Sequence, residues 1–321
     1  MRPKAILCIS LVVGILGILG LVGDTEAQGF SRQIKVGFSN ATMGNPWRAE
    51  MVRRMKVEAE RAGVQLIVTD AQGKAEKQIS DMEDLVARGV NVLIVSTQWS
   101  DAVTPGVEAA GRAKIPVIVV LADIKAAPYD VYITTSNDDA GKACGEALLR
   151  MLGDKGTYVE IMGTAGSHAA AERSRGFHGV ADQAPGWKMI AQRPADYRRD
   201  KALHIMEDIL QANPREGSIR ALYTHYDEMA LGALEAIRAA KREGEIWVCS
   251  ANAGNKEYFQ AMMKEGSGVE VAVPYPFFAN EAIETALKLA RREAVPKKIV
   301  IPPIVVTRQT VKDHYDPNSP Y

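Results

Sequence analysis

Ile34-Lys35-Val36-Gly37-Phe38, Val64-Gln65-Leu66-Ile67-Val68, Val90-Asn91-Val92-Leu93-Ile94-Val95 and Ile115-Pro116-Val117-Ile118-Val119-Val120 decide the fold. These β-branched apolar runs lie between Ile34 and Ala122, and each ends in a polar loop. Segments of roughly 12–18 residues, rich in Ala, Glu, Lys, Arg and Met, separate them with helical character. Strand, helix and parallel strand in repetition make an open, doubly wound α/β sheet. Ligands of such sheets sit beyond the carboxyl ends of the strands. The loops that follow the runs are therefore where function is to be sought.

A second series repeats the order without obvious residue identity. Tyr158 to Met162, Trp187 to Ala191, Ile219 to Tyr223 and Ile246 to Cys249 read as strands, with helical stretches near 168–184, 198–213, 227–240 and 255–265. The tail breaks this pattern: Val269 to Val273 reads as a strand, Pro276 to Arg292 as a helix, and Lys298 to Thr307 as a strand interrupted by Pro302-Pro303. A terminal unit that adds to an earlier domain and then returns implies several chain crossings between two lobes, which makes a hinge rather than a loose linker.

The N-terminus reads as an export signal over residues 1–27. Arg2 and Lys4 precede the uncharged run Ala5 to Gly23, and Thr25-Glu26-Ala27 offers small residues for cleavage before Gln28. An uncleaved anchor is the alternative. The remaining chain is long enough for two ordinary domains. With 47% apolar residues, 24% charged residues and formal charge zero, it has the composition of a packed globular protein and lacks the basic face of a nucleic-acid binder. Cys8 leaves with the signal, whereas Cys144 and Cys249 are expected in different layers as free buried thiols.

The strand-end loops carry the candidate chemistry. Asn45 before Pro46 suits a helix N-cap, and Trp47 and Arg48 in the first turn would turn an indole and a guanidinium toward the cleft. Trp99 ends the third run, beside an Asp101 better suited to capping. Gly163-Thr164-Ala165-Gly166-Ser167 lacks the Lys-Ser/Thr of a phosphate loop and the full dinucleotide fingerprint. Tyr197 ends another strand. In Thr224-His225-Tyr226-Asp227-Glu228 the carboxylates suit a helix start better than a metal site. There is no Gly-x-Ser-x-Gly elbow. Aromatic planes with Arg and Asn around one cleft bind and do not catalyse, and no cofactor or metal is expected.

At these residues the chain resembles the periplasmic solute-binding proteins of the ribose/galactose type, which serve ABC sugar importers. The likeness runs from about Ile34 to Thr307 and is strongest in Asn45-Pro46-Trp47-Arg48, in Ala170 to Phe177, in Pro194-Ala195-Asp196-Tyr197 and in Asp227 to Ala233. It implies two doubly wound parallel-sheet lobes joined by a three-segment hinge, 34–135 plus 274–303 and 136–273 plus 304–321, closing over one ligand. It further implies that Asn45 binds a hydroxyl, that Trp47 and Tyr197 sandwich a sugar, and that Arg173 hydrogen-bonds it. Arg48 after Trp47 is similar to the galactofuranose-type branch.

Several positions depart from that pattern. Tyr226 stands where the family has Asn, Asn252 or Ala253 where it has a sugar-binding Asp, Leu121-Ala122-Asp123-Ile124 where an Asp-Arg pair is common, and Val273 at a hinge Gln. Losing two carboxylates would abolish an ordinary aldose site, since a hydrogen bond to a charged group contributes about 1.5–3 kcal/mol and micromolar binding needs about 8 kcal/mol. The expected ligand is therefore smaller, less hydroxylated or anionic, with Arg48 and Arg173 as its charge partners. The expected protein is a monomeric periplasmic receptor that delivers a sugar, polyol or sugar acid to an inner-membrane ABC permease and has no nucleic-acid partner. A sensing accessory for a membrane kinase or chemoreceptor would share the fold.

Overall fold

The computed structural model describes residues 33–321; the expected signal over residues 1–27, with Cys8, lies outside the described residues. The strands β1 (Lys35–Asn40), β2 (Gln65–Asp70), β3 (Val92–Ser96), β4 (Val117–Val120) and β5 (Val131–Thr135) come first, with α1 (Pro46–Arg61), α2 (Ala75–Ala87) and α3 (Thr104–Arg112) between the first four. Then follow α4 (Asn137–Leu152), β6 (Lys155–Met162), α5 (His168–Ala181), β7 (Gly186–Pro194), α6 (Arg199–Ala212), β8 (Ala221–Thr224) and α7 (Asp227–Ala239). The chain ends with β9 (Trp247–Ala253), α8 (Lys256–Met263), β10 (Val269–Pro274), α9 (Ala279–Ala290), β11 (Lys298–Ile301), β12 (Val306–Thr307) and α10 (Val311–His314).

Two six-stranded sheets result, ordered β11-β5-β4-β3-β1-β2 and β12-β10-β9-β8-β6-β7. Every pairing in them is parallel except that of β12 with β10. The chain passes between the sheets three times: after β5, after β10, and between β11 and β12. Each sheet is covered on both faces, so its central strands bury both sides and read as unbroken apolar runs. Val92 to Val95 are all fully buried, the even and odd residues serving opposite cores.

Three details correct the sequence reading. The run Lys298 to Thr307 is two strands in two different sheets, because Pro302-Pro303 forms part of the third crossing. The helix expected from Pro276 begins at Ala279, after Phe278 with φ of +60°. Pro274 ends β10, and Pro276, without an N–H donor, cannot continue its ladder. A further strand, β5, closes the first parallel set through the alternation Val131-Tyr132-Ile133-Thr134-Thr135. Cys144 on α4 and Cys249 on β9 are free and buried, in helix and sheet respectively, but they pack in one apolar cluster.

Glycines bring α4 and α5 together. A Cβ on Gly141 would lie 2.1 Å from the Arg173 carbonyl oxygen, and one on Gly176 would lie 1.9 Å from that of Asp138. Only hydrogen fits at these crossings. This contact puts Asn137, the first residue of α4, beside Arg173.

Candidate functional site

The strand ends of the two sheets supply most of the residues singled out above, and the structure gives each a definite place. Asn45 caps α1, its Oδ1 accepting the Arg48 N–H at 3.0 Å. Trp47 is buried in the first lobe's core, stacked on Phe277 at 5.6 Å and edge-on to Tyr275 at 5.7 Å. Arg48 is also buried; its Nη1 donates to Ser96 Oγ at 2.8 Å and its Nη2 to the Thr97 carbonyl at 3.1 Å. Burial pushes the Arg48 guanidinium down to about 10, against the pull of Tyr275. Asp123 Oδ1 accepts from the Tyr129 hydroxyl at 2.7 Å. Trp99 is half-buried and packs with the cluster on the opposite face of the sheet from Trp47.

In the second lobe Arg173 is the anchor. Its Nε and Nη2 donate to Asn137 Oδ1 at 3.0 and 2.8 Å, and its Nη1 to the His225 carbonyl at 2.7 Å. Tyr197, at φ of +58°, lies edge-on to Tyr226 with ring centres 6.2 Å apart, and its hydroxyl is 3.3 Å from Ser167 Oγ. Tyr226 packs against the cores of both lobes. Asn252, at φ of +62°, is half-buried in the last turn of β9.

Sequence reasoning passed over the residue at the centre. Tyr275 lies on the second crossing, with the Arg173 Cζ 5.8 Å from its ring centre and the Trp47 indole against its edge. It is within electrostatic reach of Arg48, Glu172, Tyr132 and Tyr197, and burial pushes its phenol up to about 12. Trp47, Arg48, Arg173 and Tyr197 thus lie around Tyr275, with Tyr226 beside Tyr197, while Trp99 faces another layer. The signal for Tyr275 was the run Pro274-Tyr275-Pro276-Phe277-Phe278, where prolines exclude regular structure and leave aromatics on a crossing. Asn137, which also donates to Glu172 Oε2 at 3.2 Å, is a second residue that the sequence reading does not single out.

Asp227 and Glu228 do not merely cap α7. Asp227 is fully buried, and its Oδ2 accepts the Asn255 N–H at 2.7 Å and the Tyr321 hydroxyl at 2.9 Å. A cavity of about 500 Å³ lies elsewhere, on the side of the crossings, walled by Arg53, Arg54, Phe277, Ile304, Tyr315 and Asp316. It is not the strand-end site: of the central residues only Tyr275 reaches it. Among the described residues no group of three or more His, Cys, Asp or Glu could hold a metal ion, and no helix is long and apolar enough to cross a membrane.

The arrangement is one for holding a small polar molecule: two buried guanidiniums from two lobes, each hydrogen-bonded to neutral oxygens, with aromatic rings between them. The chain is similar to known proteins over most of its length. Residues 36–294 match the family described as "Periplasmic binding protein domain". The chain is 31% identical over 274 residues to the ribose import binding protein of Bacillus subtilis, covering 85% of this chain and 87% of that one. It is 28% identical over 273 residues to the galactofuranose-binding protein of Escherichia coli, covering 84% and 86%. Among solved structures it resembles the periplasmic binding component of the arabinose ABC transporter from Shewanella sp. ANA-3, bound to L-arabinofuranose. That likeness has a TM-score of 0.73 and 29% identity, covering 88% of this chain and 94% of that one.

Proposed function

The chain belongs to the periplasmic binding protein domain family, and on that premise we propose that it is an exported receptor that captures a small sugar or sugar-like solute between its lobes and delivers it to an ABC importer. It works in the periplasm as a monomer and catalyses no reaction. The lobes are 34–135 with 274–303 and 136–273 with 304–321, hinged at the three crossings. Ligand contacts come from Arg48 and Trp47 in one lobe and from Arg173, Tyr197 and Tyr226 in the other, with Tyr275 between. Asn45, Asp123 and Asn252 complete the rim.

One observation carries this reading. Arg48 and Arg173 are buried to 5% and 4% exposure, and among the described residues neither has a carboxylate within 4.0 Å. An unpaired buried charge is costly. Two such groups, one from each lobe and both within reach of Tyr275, suit an acceptor-rich ligand that completes both. A ligand touching both lobes favours the closed arrangement by its differential affinity for that state. The test is a thermal-shift screen of aldoses, polyols and sugar acids on residues 28–321, followed by calorimetry. A cognate ligand at 100 times its Kd adds about 2.7 kcal/mol of stability. A screen in which amino acids or peptides stabilise the protein and no sugar-like solute does would defeat the reading.

A further inference from the structure

Glu160 is fully buried in β6 and belongs to none of the strand-end loops, yet it holds the groups that hold the cleft residues. Its Oε1 faces His225 Nε2 at 2.9 Å, and its Oε2 faces His178 Nε2 at 2.9 Å and accepts from Gln192 Nε2 at 2.6 Å. Across the ring, His225 Nδ1 lies 3.3 Å from the Gly163 backbone N–H. A backbone N–H can only donate, so Nδ1 presents its lone pair and the ring proton sits on Nε2, directed at Glu160. The surroundings admit one tautomer.

Two cleft residues depend on where that ring sits. The carbonyl of His225 accepts from Arg173 Nη1 at 2.7 Å. Gly163, tied to Nδ1, is the backbone on which Tyr197 rests: a Cβ there would lie 2.1 Å from Tyr197 Cζ. One buried carboxylate thus stands behind a guanidinium and a phenol of the same cleft.

The geometry points to Glu160 as a positioning residue for ligand binding, acting through a neutral His225 in its Nε2–H form to orient Arg173 and Tyr197. The inference rests on the proposed function only in taking those two as ligand contacts. Burial keeps the His225 imidazole below its usual value, which maintains the neutral ring. Against burial, hydrogen bonds from His178 and His225 hold the Glu160 carboxyl well below the usual carboxylate range. The bond to Glu160 lifts His178 to about 9, so the carboxylate has a cationic partner on its other side.

The test is nitrogen-15 NMR of the full mature chain with no sugar added, so a failed sugar screen leaves its result intact. Wild type should show His225 only as the Nε2–H tautomer, together with slow solvent exchange of the Arg173 Nη1–H that donates to the His225 carbonyl. His225→Phe keeps a ring but removes both nitrogens, and should speed that exchange roughly tenfold or more, the effect of loosening one hydrogen bond to a charged group. Glu160→Leu should do the same, whereas Glu160→Gln, which keeps an acceptor for Nε2–H, should restore part of the protection. An Nδ1–H tautomer in wild type overturns the inference, as does unchanged Arg173 exchange in folded His225→Phe. If these variants fail to fold, a pH titration of wild type decides. The ring is faced by Glu160 and Tyr223 from the sheet and by Arg173 and His178 from α5. Arg173 exchange must change at the midpoint of His225 itself, and no change there overturns the inference.

Discussion

The Tyr321 hydroxyl, on a ring that reaches out of its own lobe, donates to Asp227 Oδ2 at 2.9 Å. Its ring is buried in the core of the first lobe beside Phe277, whereas Asp227 opens α7 in the second. The same segment pairs Asp316 with Arg53 of α1 and receives Lys256 Nζ at the Pro317 carbonyl. Residues 311–321 therefore form a strap across the crossings, and its ties join the arms of the hinge rather than stabilising either lobe alone.

Removing the hydroxyl tests the strap. Tyr321→Phe leaves the ring packing intact and takes one of two donors from a fully buried carboxylate. Oδ2 keeps the Asn255 N–H, so the loss is that of one hydrogen bond to a carboxylate, about 1.5–3 kcal/mol, read in urea unfolding. Tyr321→Ala should cost more, since it also empties a site in the first lobe's core.

The same carboxylate makes stability depend on pH. Burial pushes Asp227 up to about 7, only partly offset by the Asn255 N–H and the Tyr321 hydroxyl, and its Oδ1 has no partner. A carboxyl with a raised folded value binds a proton more tightly folded than unfolded. Its favourable contribution is present below about pH 4 and is lost as pH rises through 7. Asp227→Asn does not titrate, so its Tm relative to wild type should climb steadily between pH 5 and pH 8. A Tm difference that stays flat over that interval would show that Asp227 remains ionised throughout.

The glycine contact of α4 and α5 gives a third expectation, with two opposed effects. Gly141→Ala gains about 1 kcal/mol of helix propensity. The new methyl, however, would lie 2.1 Å from the Arg173 carbonyl, a backbone atom that cannot step aside. Overpacking of this kind costs typically 1–3 kcal/mol, so the variant should be less stable than wild type. Because the separation moves Asn137 away from Arg173, ligand affinity should fall roughly tenfold, as for one lost charge-assisted hydrogen bond. Gly179→Ala on α5, with nothing within 4 Å of the added carbon, is the control: it should gain about 1 kcal/mol of helix propensity and leave ligand affinity unchanged.

The contrast between β3 and Tyr275 shows how far the sequence could be read. Burial on both faces makes a parallel strand uniformly apolar, so Val92 to Val95 declare themselves, and the loops after such strands lead to Arg48 and Tyr197, whereas Arg173 comes from the family resemblance. Strand β5 was harder, because Tyr132 and Thr134 alternate with buried residues at the margin of the sheet. Tyr275 and Asn137 were out of reach for another reason. Each lies where the chain changes lobes, so its neighbours are remote in sequence and no local period marks it. Arg48 and Trp47 illustrate the remaining gap: their positions were legible, but not the hydrogen bonds and stacking that bury them.

The charge of the ligand can be read from the two arginines. Arg48 and Arg173 donate only to neutral oxygens, so neither has a direct carboxylate partner; Glu172 stands one hydrogen bond away from Arg173, through Asn137. With a neutral sugar, Arg173→Met removes hydrogen bonds to a charged group, about 1.5–3 kcal/mol or roughly 10- to 150-fold in Kd. With a sugar acid it also strips a desolvated ion pair, which costs about 2–5 kcal/mol or more. Calorimetry of wild type and Arg173→Met against D-galactose and D-galacturonate separates these cases. The unpaired guanidiniums lead us to expect that the acid binds the wild type more tightly and suffers the larger loss. Equal losses, with D-galactose bound at least as tightly as the acid, would mean that the two arginines act as hydroxyl donors and that the ligand is an ordinary neutral sugar.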